Sequence, residues 1–533
     1  MFLQLLTRCD KFLLSRVSRP LWRPRLAFLC LMGATISADY ASADEQTLEL
    51  DLKSFLGIVT RDNLVIQSSV LDWNASQFAT QNEEGQFDTE LRGSIIHEKN
   101  EQRNTIQESL SRSSLSEFEE SSNNFSLGLY KQAKSGATLE FEVSQSKLTN
   151  SVQPDFLYGK ENVFKAGVKL RQPFLKNGGS SATLPLQASQ VGEDIAFQGY
   201  RNARLEEAYK AIFAYWDFYQ AQENLKISQH SIELLEQMLA NAKKRVQFDN
   251  IPLTDVMRIE SRLAAEEAIL NQANQNFIEA MNILKDYMAI SSVESDYVIK
   301  AESADFETLI ASLSMPALDS VSSVNTAYQL NPSYLSAVKT AEQEKIKLVY
   351  AENQSLIQLD VLASYHQNGL DMRAHDAIND TLSGDYPGFS VGVEFVIPLA
   401  NNIGRSQVGV ANVRTQQAIY AIKETEIKLA NQLKTLIADI ENKYSIVQQL
   451  DKVRKINKEL FLIHQSSYDK GQASIDDVID SERRYEITLS ELLSAIAAYQ
   501  KSKFMLKKAE GSLFSYFDIA DQVSPPNPEG LPL

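Results

Sequence analysis

Asp477 and Asp480 stand three residues apart in the run Tyr468-Asp469-Lys470-Gly471-Gln472-Ala473-Ser474-Ile475-Asp476-Asp477-Val478-Ile479-Asp480. At a helix start, that spacing puts both carboxylates on adjacent ground of one face. On residue types alone they read first as helix caps. An acidic first turn complements the helix dipole by a few tenths to about 1 kcal/mol. A related run, Leu253-Thr254-Asp255-Val256, occurs earlier in the chain. Chemistry of other kinds is missing from the pattern. The five histidines, at 97, 230, 366, 375 and 464, show no ligand spacing, so no metal or cofactor site is expected. Nucleophile-elbow, P-loop and dinucleotide motifs are absent, and Gly178-Gly179 reads as a turn. The sequence is not that of an enzyme.

The elements that must position these aspartates are long helices. From Leu184 to Phe248 the pattern is helical almost without a break. Leu205, Tyr209, Ile212, Trp216 and Tyr219, then Ile232, Leu235, Leu239, Ala242 and Val246, step by three and four as in a coiled-coil seam. Such a helix reaches ~100 Å at ~1.5 Å per residue, more than a compact domain uses. After Asp249-Asn250-Ile251-Pro252 the repeat resumes with Val256, Ile259, Leu263, Leu270 and Phe277, so residues 184–290 form one helix hairpin. Residues 405–516 form another, turning at Asp469-Lys470-Gly471, with Tyr485, Leu489, Leu492, Ile496 and Tyr499 in its return seam.

Each hairpin follows an alternating strand. Phe164-Lys165-Ala166-Gly167-Val168 through Pro173 and Asn177 repeats as Phe389-Ser390-Val391-Gly392-Val393 through Pro398 and Asn402, at a constant offset. This is an internal duplication. Pro173 and Pro398 mark where each strand ends. The first repeat covers residues 44–290, with strands at 86–98, 125–143 (a hairpin around Lys134-Ser135-Gly136) and 163–175. Residues 99–123 read as a solvated loop. Residues 291–324 connect it to a second repeat, 325–518, which opens with a helix at Asn331-Pro332 and carries strands at 359–366 and 389–398 around a loop at 368–386. The Pro-rich tail, 519–533, reads as disordered.

At the N-terminus, Arg16, Arg19, Arg23 and Arg25 precede the apolar run Leu26–Ile36, and Ala41-Ser42-Ala43 offers a small-x-small cleavage site. Residues 1–43 read as a signal peptide. Both cysteines, Cys9 and Cys30, lie in it, leaving neither disulfide nor thiolate beyond. It holds six of the 52 Lys and Arg and two of the 69 Asp and Glu, so the remainder carries a net charge of −21. That balance argues against nucleic acid as a partner. No later segment has the length of a transmembrane helix, so a membrane crossing must be made by strands.

The order of helix, strands and long helix hairpin, given twice behind a secretory signal, resembles the TolC family of outer-membrane efflux and secretion channels. Leu170-Arg171-Gln172-Pro173-Phe174-Leu175, Asn331-Pro332, and Tyr468-Asp469-x-Gly471 followed by Ile475-x-Asp477-Val478-x-Asp480 carry the resemblance over about residues 50–518. It implies a mixed fold of α-helical coiled coil and membrane β-barrel. Three chains would close a 12-stranded barrel in the outer-membrane lipid above a periplasmic α-helical tunnel. It implies partnership with a periplasmic adaptor and an inner-membrane pump. Matched residue by residue, Asp477 and Asp480 ring the periplasmic entrance, and Tyr468 with Asp255 belongs to the network closing it. Pore lining and helix capping can coexist at these aspartates.

Three departures stand out. Ala473 occupies the place of a family arginine that locks the entrance, so Gln472 or Lys470 is the expected substitute. Asp249-Asn250 replaces a usual glycine. Repeat one also holds about forty more residues between its strands than repeat two, which leaves open whether the 125–143 hairpin joins the barrel. The rival reading is a soluble periplasmic coiled-coil adaptor or structural protein. An adaptor would carry one hairpin flanked by lipoyl-like halves, whereas two hairpins are present here.

Overall fold

A computed structural model describes residues 47–152, 160–247, 251–291, 298–301 and 306–519. The signal-peptide reading and its two cysteines, the Asp249-Asn250 turn and all of the tail after Ile519 lie outside the described residues.

The first repeat opens with β1 (Thr47–Leu50), then α1 (Leu52–Asp62) and α2 (Leu64–Glu84). Strands β2 (Thr89–Arg103), β3 (Glu117–Gln132), β4 (Thr138–Asn150) and β5 (Glu161–Pro173) follow, with α3 (Ile106–Ser111) between β2 and β3. The chain then enters α4 (Leu184–Gln247) and returns along α5 (Leu253–Tyr287). The second repeat has α7 (Ser320–Leu330), α8 (Pro332–Gln354), β7 (Gln358–Asp371), α9 (Ala374–Ser383), β8 (Pro387–Val396), α10 (Asn402–Asp469), α11 (Ile475–Glu510) and α12 (Leu513–Tyr516). Between the repeats lie β6 (Val298–Ala301) and α6 (Phe306–Ser312).

The connection expected at 291–324 is therefore structured where it is described. β6 pairs in parallel with β1, and α4 clasps the ribbon. The Gln222 amide accepts from Ala301 N at 3.0 Å and donates to Ala301 O at 3.2 Å, while Tyr215 Oη donates to Leu50 O at 3.0 Å. Four-residue strands carry no readable periodicity, and only a partner some 250 residues away defines them.

Asn331-Pro332 also proves to be a junction rather than an opening, because α7 precedes it. Asn331 caps α8 by accepting from Tyr334 N at 3.0 Å, and its amide donates to Ala509 O at the end of α11, 2.9 Å away. The first repeat does the same with Asn63. It accepts from Val65 N and Ile66 N at 3.0 and 3.2 Å and donates to Tyr287 O at the end of α5, at 3.3 Å. Each asparagine ties a helix junction to the foot of its own hairpin.

The long helices persist because nothing interrupts them. Helix α10 contains no proline in 68 residues, and one face packs throughout. Leu205, Ala208, Ile212 and Phe218 of α4 meet Phe55 and Val59 of α1, Leu284 of α5, and Leu493 and Ala497 of α11 in the largest core cluster. Leu433, Ile440 and Val447 of α10 meet Leu492, Ile496 and Tyr499 of α11 in a second. The return helix ends before the expected residue 516, at Gly511, whose φ of +76° a side chain would strain.

Among the described residues, all strands except β1 and β6 form one antiparallel sheet in the order β2-β3-β4-β5-β7-β8. The chain thus supplies six strands where the resemblance implies four, and the hairpin at 125–143 is paired into the sheet as β3 and β4. Much of the loop expected at 99–123 is strand: β2 runs to Arg103 and β3 starts at Glu117. Polar residues on both faces there erase the alternation that marks a strand. The loop expected at 368–386 holds α9, which packs on β5 and β7. Thr381 Oγ1 donates to Phe164 O at 3.1 Å, and any side chain at Gly369 would meet Ala377 O.

Candidate functional site

The two strand-to-helix passages carry the duplicated prolines. Pro173 is the last residue of β5, and Pro398 lies two residues beyond β8. After each, an asparagine takes a left-handed conformation, Asn177 at φ 62° and Asn401 at φ 45°. Both are held by the end of α8. Asn177 N donates to Asn353 Oδ1 at 2.8 Å, and Asn401 Nδ2 donates to Ser355 O at 2.7 Å.

At the far end the two hairpin tips pack together. Ala242 of α4, Val256 and Ile259 of α5, Phe461 of α10, and Ile475 and Val478 of α11 form one buried cluster. Gly471, at φ +71°, ends α10, with its N–H donating to Tyr468 O at 2.9 Å. Ser474 and Asp477 then start α11 with a reciprocal capping box. Asp477 N donates to Ser474 Oγ at 3.2 Å, and Asp477 Oδ2 accepts from Ser474 N at 3.1 Å and Ser474 Oγ at 3.0 Å. Those bonds, the backbone one foremost, hold the Asp477 carboxyl below its ordinary range. Asp480 is exposed, and its side chain makes no ion pair or hydrogen bond among the described residues. Capping thus accounts for Asp477 within one chain and leaves Asp480 unexplained.

Tyr468 and Asp255, far apart in sequence, come together between the tips. Burial first, and then the nearby Asp255 carboxylate, push the Tyr468 phenol above its usual range. The phenol oxygen is buried without a well-formed hydrogen bond among the described residues. The Arg245 guanidinium lies 4.9 Å from the Tyr468 ring centre, donates to Tyr468 O at 3.4 Å and faces Asp469 at 3.5 Å. Arg258 pairs with Asp476. Within one chain the cations linking the tips are Arg245 and Arg258 of the first hairpin, and the side chains of Gln472 and Lys470 make no ion pair or hydrogen bond among the described residues. Sequence reading missed Arg245 and Arg258 because their partners lie more than 200 residues away. Their one signal was position, each within a few residues of a hairpin turn.

The sheet has two different faces. The row Leu91, Leu129, Phe141, Val168, Tyr365 and Phe389 crosses all six strands through directly paired positions, and every member is exposed. The opposite face is polar. There Lys169 meets Glu142 at 2.8 Å, and Arg171 Nε donates to Asp360 Oδ2 at 2.7 Å. No described helix is long and apolar enough to cross a membrane.

The fold is a sheet apolar on one face and polar on the other, joined to two very long helix hairpins, an arrangement found in solved outer-membrane channels. CmeC of Campylobacter jejuni superposes with a TM-score of 0.62 at 14% identity, covering 91% of this chain and 94% of that one. The MtrE channel of Neisseria gonorrhoeae in its open state gives 0.61 at 14%, covering 90% and 95%. The outer-membrane channel OprN gives 0.63 at 12%, covering 90% and 99%. In sequence, the outer membrane protein TolC of Vibrio cholerae serotype O1 is 21% identical over 318 residues, 58% of this chain and 68% of that protein. No family model matches the chain. The fold is that of the TolC-type channels, the family the sequence resembles.

Proposed function

We propose that this protein is the outer-membrane exit duct of a tripartite efflux or type I secretion system. It sits in the outer membrane and reaches into the periplasm. Three copies surround one pore, and the helix hairpins meet a periplasmic adaptor and an inner-membrane pump. Small compounds or polypeptides pass through, driven by the pump; the duct itself performs no chemistry. One observation carries this reading: an exposed apolar sheet face on the same chain as helices of 64 and 68 residues, ~100 Å long. Lipid accounts for the first and the periplasm for the second.

In this reading the hairpin tips are the entrance, where Asp477 and Asp480 from three chains make a ring of six carboxylates. Such a ring favours cations. Expressed with its N-terminal segment in a Gram-negative host, the protein is expected in the outer-membrane fraction as a trimer. In planar bilayers, Asp477→Asn with Asp480→Asn is expected to lower cation preference and block by multivalent cations. A soluble monomer would overturn the duct, and unchanged selectivity would remove the ring while leaving the duct in place.

A further inference from the structure

We infer that all six strands of the sheet form the membrane wall, so that three chains close an eighteen-stranded barrel rather than a twelve-stranded one; the inference rests on the trimeric duct proposed above. The extra hairpin, β3 and β4, lies between β2 and β5 with continuous pairing on both sides. It shares the chemistry of its neighbours. Leu129 and Phe141 continue the exposed apolar row from Leu91 to Val168, while Tyr130, Glu140 and Glu142 continue the polar face. A hairpin folded outside the wall has no reason to match that alternation strand for strand. Its length also fits. β3 has 16 residues and β4 has 13, and a tilted membrane strand needs about 9–11.

Its turn is anchored at the rim where the other strands leave the sheet. Ser135 O accepts from Gly179 N at 3.0 Å, just after β5. Gly136, at φ +84°, admits no Cβ because Asn177 O would lie 2.1 Å away. The turn is therefore built against the β5-to-α4 passage and does not hang free.

The two outer edges match as well. Six alternating strands leave β2 and β8 antiparallel to each other, so the β8 edge of one copy presents to the β2 edge of the next the pairing used throughout the sheet. Both edge strands are exposed almost throughout, and closure removes such edges. At ~4.8 Å between strands and a tilt of ~40°, eighteen strands give a backbone diameter of ~36 Å against ~24 Å for twelve. The exit mouth then has about twice the cross-section, a difference that suits bulky cargo.

The test uses single cysteines in a chain whose two native cysteines lie before residue 44. Leu129→Cys, Phe141→Cys, Glu142→Cys and Val168→Cys are each labelled with a fluorophore and reconstituted as trimers in vesicles containing brominated lipid. The inference expects strong quenching at 129, 141 and 168 and none at 142, whose thiol in the unlabelled variant instead reacts with an impermeant maleimide. Quenching at 168 but not at 129 and 141 would place the hairpin outside the wall and overturn the inference while sparing the duct. No quenching at any position, 168 included, would sink the duct reading itself. Trimer yield in mild detergent checks that each variant has assembled.

Discussion

The two hairpins are joined by arginine-carboxylate bonds at two levels, and the levels differ in solvent. Part-way along the shaft, Arg262 of α5 donates to Glu266 at 2.6 Å, Glu486 at 2.6 Å and Glu482 at 3.2 Å, and Glu482 also accepts from Ser231 of α4 at 2.6 Å. These side chains are 10%, 0%, 15% and 4% exposed for Arg262, Glu266, Glu486 and Glu482. At the tip, Arg258 and Asp476 are 51% and 55% exposed. One level is a strut whose rupture strands buried charge; the other is a latch that water can replace. For the duct proposed above, an entrance that opens while the shaft stays intact needs this order of strengths.

Removing the strut has the largest expected effect. Arg262→Ala leaves three carboxylates buried without their cation, and such a loss costs about 3–5 kcal/mol. Thermal unfolding of the detergent-solubilised protein, followed by far-UV circular dichroism, should show a large fall in Tm. A change no larger than that of a tip variant would break the comparison.

The same cluster sets a pH dependence. One arginine faces three carboxylates, so burial first, and then Glu266 and Glu482, push Glu486 up from 4.5 to about 7. The folded chain therefore holds a proton there that the unfolded chain has released. This contribution is fullest below about 4.5 and is lost as pH rises through about 7, with a slope of at most about 1.4 kcal/mol per pH unit. Tm should fall between pH 5 and pH 8, and Glu486→Gln should flatten that fall. An equal slope in the variant would assign the titration elsewhere.

The shaft was legible in sequence because packing repeats every seven residues, and the Phe164 and Phe389 strands because one face is apolar. The strut was less so. Glu482 and Glu486 stand four apart on one helix face and repel each other, but the cation they share, Arg262, comes from another element more than 200 residues away. The polar ends of β2 and β3 were unreadable, since both of their faces carry polar side chains. At the hairpin tips, Tyr468 and Asp255 were picked out through the resemblance, and they lie close together. Arg245 and Arg258 were hidden among many surface charges, and only the folded tips show which ones matter.

The smallest expected effect is at the latch. Exposed ion pairs contribute about 0–1 kcal/mol, so Arg258→Ala should leave Tm nearly unchanged and the response should weaken further in high salt. Arg245→Ala should cost more than Arg258→Ala, because Arg245 also covers the Tyr468 ring and bonds its carbonyl. Function should invert the stability ranking. In planar bilayers both tip variants are expected to open more often than the parent, by a few-fold for each 1 kcal/mol or less removed from the closed state. Glu486→Gln, which leaves Arg262 paired, should not. Equal opening in all three would mean that shaft and tip yield together, and that the latch has no independence from the strut.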